Sequence, residues 1–324
     1  MENKEYVFVK NSLKIETNVI GYRAQGESIL FFIKVDENVC FSGLIDCFCS
    51  KNINVIDEIL REKKVKYLDL ISSTHPDLDH SKGFDDIFDK YVNNKTTVWI
   101  PSNTLCNDES CSDGVRKVFN DLRESLAIRN PKYNVYAASD FNDMLFYEKS
   151  IIFSKDICEY PLKIYSFTPN SRIMNSYKVN NKFVSNDCSI MLMVQIGSII
   201  NLFTGDVENV TINALPPSIY FDNLHVMKIP HHGSDTSDSM LNIFSKCQVA
   251  CSTVYRIGKS QLPLIDILNR YSKKCDKLCC TGNIDSKVEK HEYGVVSIET
   301  DIVKENYGVE FVGNAQVYSE IISL

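Results

Sequence analysis

The sequence predicts an α/β protein in which two β layers are flanked by helices, and three observations support this prediction. Apolar runs typical of buried strands recur along the chain, as at residues 28–35. Helical spacing at residues 54–64 and again at 85–91 alternates with such runs, which gives a strand–helix–strand order. No fixed short repeat and no low-complexity linker divides the chain. We therefore expect one domain over residues 1–324.

The remaining elements follow from the same patterns. Further strands are predicted at residues 5–9, 12–16, 39–45, 66–74, 97–100, 151–153, 162–167, 190–194, 198–203, 225–229, 248–254 and within 293–311. Further helices are predicted at residues 115–128, 238–244 and 262–271. Residues 102–113 and 171–185 are polar and are predicted to be loops. They belong to an insertion-like segment, about 102–185, which fits the overall pattern least.

Composition indicates a cytoplasmic protein. The chain of 324 residues can bury a large core, and 44% hydrophobic with 24% charged residues is ordinary for a soluble protein. It contains no apolar run of about 18 residues, so no membrane segment is expected. Its first residues do not resemble a secretory signal. Twelve scattered cysteines are then expected to be reduced, mostly buried thiols.

The charge balance and the cysteine spacing each weaken one class of function. A net charge of −7 is unlike proteins that bind duplex DNA broadly through a basic face, although a small basic groove stays compatible with it. The cysteines at 275, 279 and 280 could suggest zinc, but the chain contains no Cys-x-x-Cys pair. Structural thiols are the favoured interpretation there.

The strongest local signal is the hexad His75-Pro-Asp-Leu-Asp-His80, which follows the predicted strand at 66–74. Because side chains alternate along extended backbone, His75, Asp77 and Asp79 are expected to point the same way. Two imidazoles and two carboxylates form a nitrogen and oxygen set suited to zinc, manganese or iron. A solvated polar turn is the alternative.

Three more polar groups follow apolar runs in the same manner, at Asp46, Asp206 and His231-His232. Each aspartate alone would be typical of a turn. Together the groups could meet at one edge of a layered sheet, and a carboxylate such as Asp206 could bridge two metals. His225 is expected to be a packed strand residue and His291 a solvated one.

These motifs resemble the metallo-β-lactamase fold superfamily, and more closely the soluble hydrolase domain of the ComEC DNA-uptake channel and its free-standing relatives. The resemblance rests on Gln25-Gly-Glu-Ser-Ile-Leu30, Leu44-Ile-Asp46, Thr74-His-Pro-Asp-Leu-Asp-His80, Ser185-Asn-Asp-Cys-Ser189, Phe203-Thr-Gly-Asp206 and Lys228-Ile-Pro-His-His-Gly-Ser234. It implies an αββα four-layer sandwich, without a transmembrane part, that holds two divalent metal ions at one edge.

The resemblance also implies the roles of the site residues. The implied metal ligands are His75, Asp77, Asp79, His80, Asp206, His231 and His232. His75 and Asp77 would hold one metal, Asp79 and His80 the other, and Asp206 would bridge them. One residue of the histidine pair would complete the second site, and adjacent side chains in extended backbone suggest that only one of the two does so.

Catalysis is implied to use a metal-activated hydroxide. Asp79 would orient or deprotonate the attacking water, and His80 and His232 complete the implied catalytic set. Asp46 would act mainly by orienting a metal ligand. Asn186 lies in the stretch where many relatives carry a further histidine.

Two departures from the family pattern affect the metal and the chemistry. Asp77 stands where many superfamily hydrolases have histidine, which favours manganese or magnesium beside zinc. The Gly-His-Pro of ComEC-like proteins appears here as Gln261-Leu-Pro263. The second metal or the leaving-group acid would therefore differ.

The function expected from the resemblance is a metal-dependent phosphodiesterase or nuclease acting on DNA. The alternatives are hydrolysis of a small phosphodiester or ester, and a partner-regulated, catalytically weak component of a defence or DNA-uptake system. A groove lined by Lys228, Arg256 and Lys259 would favour nucleic acid, and a closed pocket a small substrate. The oligomeric state is not predicted.

Overall fold

The computed structural model describes residues 4–23, 25–50, 53–102, 112–128, 133–140, 142–144, 150–180, 184–284 and 290–319. The strands are β1 (Lys4–Phe8), β2 (Leu13–Gly21), β3 (Glu27–Val35), β4 (Asn38–Ile45), β5 (Leu70–Ser72), β6 (Thr97–Pro101), β7 (Asn134–Ala138), β8 (Asn142–Met144), β9 (Ser150–Lys155), β10 (Cys158–Ser166), β11 (Leu192–Ile196), β12 (Ile199–Phe203), β13 (Phe221–Lys228), β14 (Phe244–Ser252), β15 (Cys275–Cys280), β16 (Gly294–Asp301), β17 (Asn306–Gly313) and β18 (Gln316–Val317). The helices are α1 (Val55–Glu62), α2 (Leu78–Ser81), α3 (Phe84–Tyr91), α4 (Asp113–Ala127), α5 (Ser171–Asn180), α6 (Asn209–Ile212) and α7 (Ile265–Ser272).

These strands form two sheets. The first has the order β17-β16-β2-β3-β4-β5-β6-β7, with β4 to β7 parallel. The second has the order β1-β9-β10-β11-β12-β13-β14-β15-β18, with β8 also paired to β10 and with β12 to β15 parallel.

Strand β3 shows how the sequence builds the layers. All nine of its residues are buried, so both of its faces are covered. Phe31 faces the second sheet and packs against Phe203 of β12, with ring centroids 6.1 Å apart. Phe32 faces the opposite way and joins the cluster formed with α1, α3 and α4.

The outer face of the second sheet is covered in the same way. A third cluster joins Leu202 and Met227 of the sheet to Leu268 of α7. The layers are therefore helix, sheet, sheet and helix, and the predicted αββα sandwich is confirmed.

Two local predictions were wrong. Residues 171–180 form α5 instead of a loop, although their polar composition hides the helix. The helix predicted at residues 238–244 is instead a run of 3₁₀ turns at Asp235–Asn242, and Phe244 already begins β14. Most of the predicted loop at 102–113 lies outside the described residues, and the single-domain expectation stays a prediction.

The parallel strands place the polar motifs together. Asp46 follows β4, and the loop carrying His75 follows β5 in the first sheet. Asp206 follows β12, and His232 follows β13 in the second. Because carboxyl ends of parallel strands lie at the same edge of a sheet, these loops can meet where the two sheets share an edge.

Candidate metal centre

Asp46 joins the loop after β4 to the loop after β5. Its backbone φ of +55° is left-handed, a conformation in which Asp is several-fold enriched. Its carboxylate accepts hydrogen bonds from the Thr74 N–H (2.7 Å), the Thr74 hydroxyl (2.7 Å) and Nδ1 of His80 (2.8 Å). Asp46 thus lies directly behind His80, the residue that it would orient.

The hexad itself is not an extended strand throughout. β5 ends at Ser72, and Asp79 and His80 lie in the short helix α2. The predicted alternation of side chains is therefore wrong beyond Asp77, because each helical residue turns the chain by about 100°. The turn still brings the rings of His75 and His80 together, with centroids 4.2 Å apart.

A hydroxyl relay joins Asp46 to His75. Thr74 donates its hydroxyl hydrogen to Asp46, since an ionised carboxylate can only accept. The same hydroxyl oxygen lies 3.0 Å from Nδ1 of His75 and can accept the Nδ1 hydrogen, and the Ser189 hydroxyl lies 3.2 Å from the same nitrogen. Nε2 of His75 is buried and has no hydrogen-bond partner.

His80 and His232 are engaged at Nδ1 in a similar way. Asp46 accepts the Nδ1 hydrogen of His80 directly. Thr253 donates its hydroxyl to Glu27 and lies 2.7 Å from Nδ1 of His232, which repeats the relay. Metal-ligating histidines in proteins are usually fixed by such bonds at the other ring nitrogen. The Nδ1 atoms of all three rings are therefore engaged, and their Nε2 atoms face the site.

Two aspartates face the Nε2 atoms of His80 and His232. Asp79 Oδ2 lies 3.6 Å from Nε2 of His80 and 3.4 Å from Nε2 of His232. Asp206 Oδ2 lies 3.3 Å and 3.5 Å from the same two atoms. These four residues form one compact nitrogen and oxygen group.

His75 and Asp77 form a neighbouring pair. Asp77 Oδ2 lies 3.7 Å from Nε2 of His75, and the Asp77 side chain is 37% exposed. This pair has fewer donors than the group around His80, and the expected division into two ligand groups stays a prediction.

Neighbouring charges shift the pKa values of the compact group. Burial alone would raise the pKa of Asp79, but His80 and His232 hold that pKa down at about 2. The pKa of Asp206 is likewise held well below its usual range against the effect of burial, by the two histidines and Lys228. Burial would lower the pKa of His80, but the surrounding carboxylates hold it well above its usual value.

Glu27, Lys228, Thr253 and the Thr74 hydroxyl are the site residues that sequence reasoning missed. Oxygen or nitrogen atoms of Glu27, His80, Asp206 and His232 lie within 4.8 Å of one another. Glu27, however, lies on the Nδ1 side of His232 (3.2 Å), and its oxygens are engaged by Thr253 and by Lys228 Nζ (2.7 Å). Asp79, not Glu27, therefore completes the group on the Nε2 side.

His231 and Asn186 lie beside this group. The backbone of His231 and His232 is left-handed, with φ of +45° and +53°, so the two side chains do not alternate as extended residues would. Nδ1 of His231 lies 3.0 Å from the Thr236 hydroxyl and 3.1 Å from Glu208 Oε1. Asn186 donates to the same Glu208 oxygen at 3.1 Å. Only His232 of the histidine pair contacts Asp79 and Asp206 among the described contacts.

The residues present fit a divalent cation. Nε2 of His75 and Nε2 of His80 are buried without hydrogen-bond partners, which is costly unless another group satisfies them. Imidazole nitrogens with carboxylate oxygens suit zinc or manganese. The carboxylates that favour a proton on His80 would also favour a cation in its place.

The three residues named as a possible lining for a basic groove do not form one. Lys228 is fully buried and its ammonium contacts Glu27 and Asp206, so it cannot line a groove. Arg256 donates to the carbonyl oxygen of Asn283 at 2.6 Å. Lys259 alone of the three is exposed without such a described contact.

No protein-family model matches the sequence, and no curated protein matches it. Similar solved structures include a metallo-β-lactamase from Staphylococcus aureus subsp. aureus COL, with 11% identity, a TM-score of 0.34 and coverage of 72% of this chain and 49% of that one. A diphosphatase of the PhnP family has 11% identity, a TM-score of 0.35 and coverage of 73% and 85%. Zn(2+)-bound PqqB from Methylobacterium extorquens has 10% identity, a TM-score of 0.36 and coverage of 72% and 88%. The chain spans about half the length of the S. aureus protein.

Among the described residues, no helix combines the length and the apolar character needed to cross a membrane.

Proposed function

We propose that this protein is a metal-dependent hydrolase of phosphodiester bonds. The observation that carries the proposal is the convergence of three imidazoles whose Nδ1 atoms are all held, so that their Nε2 atoms face carboxylates in a buried site. A purely structural polar cluster would instead be expected to satisfy its own buried atoms.

Two divalent cations, zinc or manganese with magnesium as a further option, are the proposed cofactors. One would be held by Asp79, His80 and His232, the other by His75 and Asp77, with Asp206 between them.

The cations, when bound, would supply Lewis acidity toward a phosphate oxygen and would make water more acidic. The chain contributes a carboxylate, Asp79, whose low pKa keeps it ionised and able to accept a hydrogen bond from the attacking water. His231 is partly exposed, and burial would lower its pKa, but its hydrogen bond to Glu208 raises that pKa above the usual value. It can therefore hold a proton beside an anionic substrate.

DNA is the first substrate to test, because the sequence resembles the ComEC hydrolase domain. A small phosphodiester is the second candidate, and the burial of Lys228 favours it, since that residue cannot line a groove for nucleic acid. The reduced, mostly buried cysteines of the described chain support a cytoplasmic location. A protein partner stays a further prediction.

The test compares hydrolysis of single-stranded DNA, double-stranded DNA and a chromogenic small phosphodiester with Mn²⁺, Mg²⁺ or Zn²⁺ added. Wild type is measured beside an Asp79→Ala, His80→Ala double variant, with His291→Ala as a histidine control outside the site. We expect metal-dependent cleavage that the double variant loses and the control keeps. Metal-loaded, folded protein that cleaves none of the three substrates would contradict the proposal.

A further inference from the structure

A pair of opposite charges, Glu27 and Lys228, is buried behind the compact ligand group. Both side chains are at most 1% exposed, and Lys228 Nζ lies 2.7 Å from Glu27 Oε1. Removing two charges from water is costly, and such a pair often stabilises a fold no better than apolar residues would. A buried pair at this place therefore calls for a role other than stability.

Glu27 controls the orientation of His232. Its Oε2 accepts the hydroxyl hydrogen of Thr253 and lies 3.2 Å from Nδ1 of His232. Thr253 donates its hydroxyl hydrogen to Glu27. Its oxygen can therefore only accept a hydrogen bond from Nδ1 of His232, at 2.7 Å. Glu27 and Thr253 thus hold the Nδ1 side of His232, and Nε2 of the ring faces Asp79 at 3.4 Å.

Lys228 is paired with Glu27 and contacts Asp206 as well. Its ammonium lies 3.5 Å from Oδ1 of Asp206, while Oδ2 of the same carboxylate faces His80 at 3.3 Å. Lys228 therefore contacts both Glu27, which orients His232, and Asp206, the carboxylate expected to lie between the two metals. It leaves Oδ2 of Asp206 turned toward the histidines.

We propose that Glu27 and Lys228 are a positioning pair that fixes His232 and Asp206 for metal binding. This inference rests on the proposed function, since it assumes that the compact group holds a cation. Neither residue needs to touch the cation or the substrate. Orienting residues of this kind typically change metal affinity by about 10- to 100-fold.

The test measures the affinity for Zn²⁺ by competition with a chromogenic chelator, and the visible spectrum of the Co²⁺-loaded protein. Glu27→Gln preserves shape but removes the charge. We expect about 10- to 100-fold weaker metal binding and an altered Co²⁺ spectrum, because Thr253 then no longer has to donate to position 27 and His232 can change tautomer.

Glu16→Gln is the matched control. Glu16 is also a buried glutamate paired with lysines, Lys34 and Lys63, both at 2.8 Å, but it contacts none of the site residues described above. We expect its variant to bind metal as wild type does.

The double variant Glu27→Gln, Lys228→Met separates positioning from stability. It removes both charges, so no unpaired charge stays buried, and we expect the fold to be retained. A positioning role predicts that metal binding remains weak in the double variant. Recovery of wild-type affinity in it, or wild-type affinity in Glu27→Gln alone, would overturn the inference. Wild-type protein that binds no metal would instead overturn the proposed function, and this inference with it.

Discussion

Replacing Asp46 by Asn tests how the site prepares its histidines. Asn has nearly the same shape and also tolerates the left-handed backbone at this position, where φ is +55°. The amide oxygen can keep the bond from the Thr74 N–H. The amide NH₂ group, however, replaces the oxygen that accepts from the Thr74 hydroxyl and from His80 Nδ1.

Both histidines of the hexad are expected to respond. His80 would accept from the new NH₂ group only if its hydrogen moved to Nε2, the atom that should bind metal. Thr74 would accept from the same group and could then donate to His75, which would move the lone pair of that ring as well. A loss of 10- to 100-fold in metal affinity is expected, or about 1.4–2.7 kcal/mol.

The assay is chelator competition for Zn²⁺, together with urea denaturation in the presence of a chelator. Losing charge-assisted hydrogen bonds should cost about 1.5–3 kcal/mol of the free energy of unfolding, which a stable domain survives. Asp36→Asn is the control, because Asp36 also has a left-handed backbone and accepts the N–H groups of Asn11 (2.7 Å) and Ser12 (2.9 Å), but on the exposed surface. A folded Asp46→Asn variant with wild-type metal affinity would refute the reasoning.

Three further outcomes are expected. Gly205→Ala should lower the free energy of unfolding in urea by at least about 1–2 kcal/mol and should weaken metal binding. The reason is that φ is +52° at this position and the new Cβ would lie 2.9 Å from Cβ of Thr74. Unchanged metal affinity would count against the tight loop contact. Burial alone would raise the pKa of Glu16, but its lysine partners lower it below the usual value of 4.5. Wild type should therefore lose stability relative to Glu16→Gln in denaturation curves as the pH falls below 4.5 and through the lowered pKa of Glu16. A difference that stays constant with pH would contradict this. Phe31→Ala should lower the free energy of unfolding by about 3–5 kcal/mol, because the ring packs against Phe203 between the sheets. A loss below about 1 kcal/mol would show that the core can close around the gap.

The sequence predicted the layers well because apolar runs and their spacing reflect burial directly. Strand β3 is apolar in six of its nine positions and is buried on both faces, as such a run indicates. Helix α5 was missed because its composition is polar and few of its residues face the core. Local sequence patterns indicate which side chains are buried, and few of the described side chains of this helix are buried.

The site was predictable only where its residues follow one another in the chain. The hexad carries four candidate ligands within six positions. Asp206 and the histidine pair each follow a strand. Glu27 and Lys228 each lie at one end of an apolar strand, β3 and β13, and nothing local shows that they meet. Two isolated charges of opposite sign beside apolar runs were the available signal. The relay through Thr253 depends on tertiary contacts alone.

The most direct test of the central claim is a crystal structure of the Mn²⁺- or Zn²⁺-loaded protein with anomalous diffraction data at the metal edge. We predict one peak among Nε2 of His80, Nε2 of His232 and the carboxylates of Asp79 and Asp206. A second, weaker peak is expected beside His75 and Asp77. Loaded protein whose anomalous peaks lie elsewhere, with both positions empty, would contradict the metal centre described here.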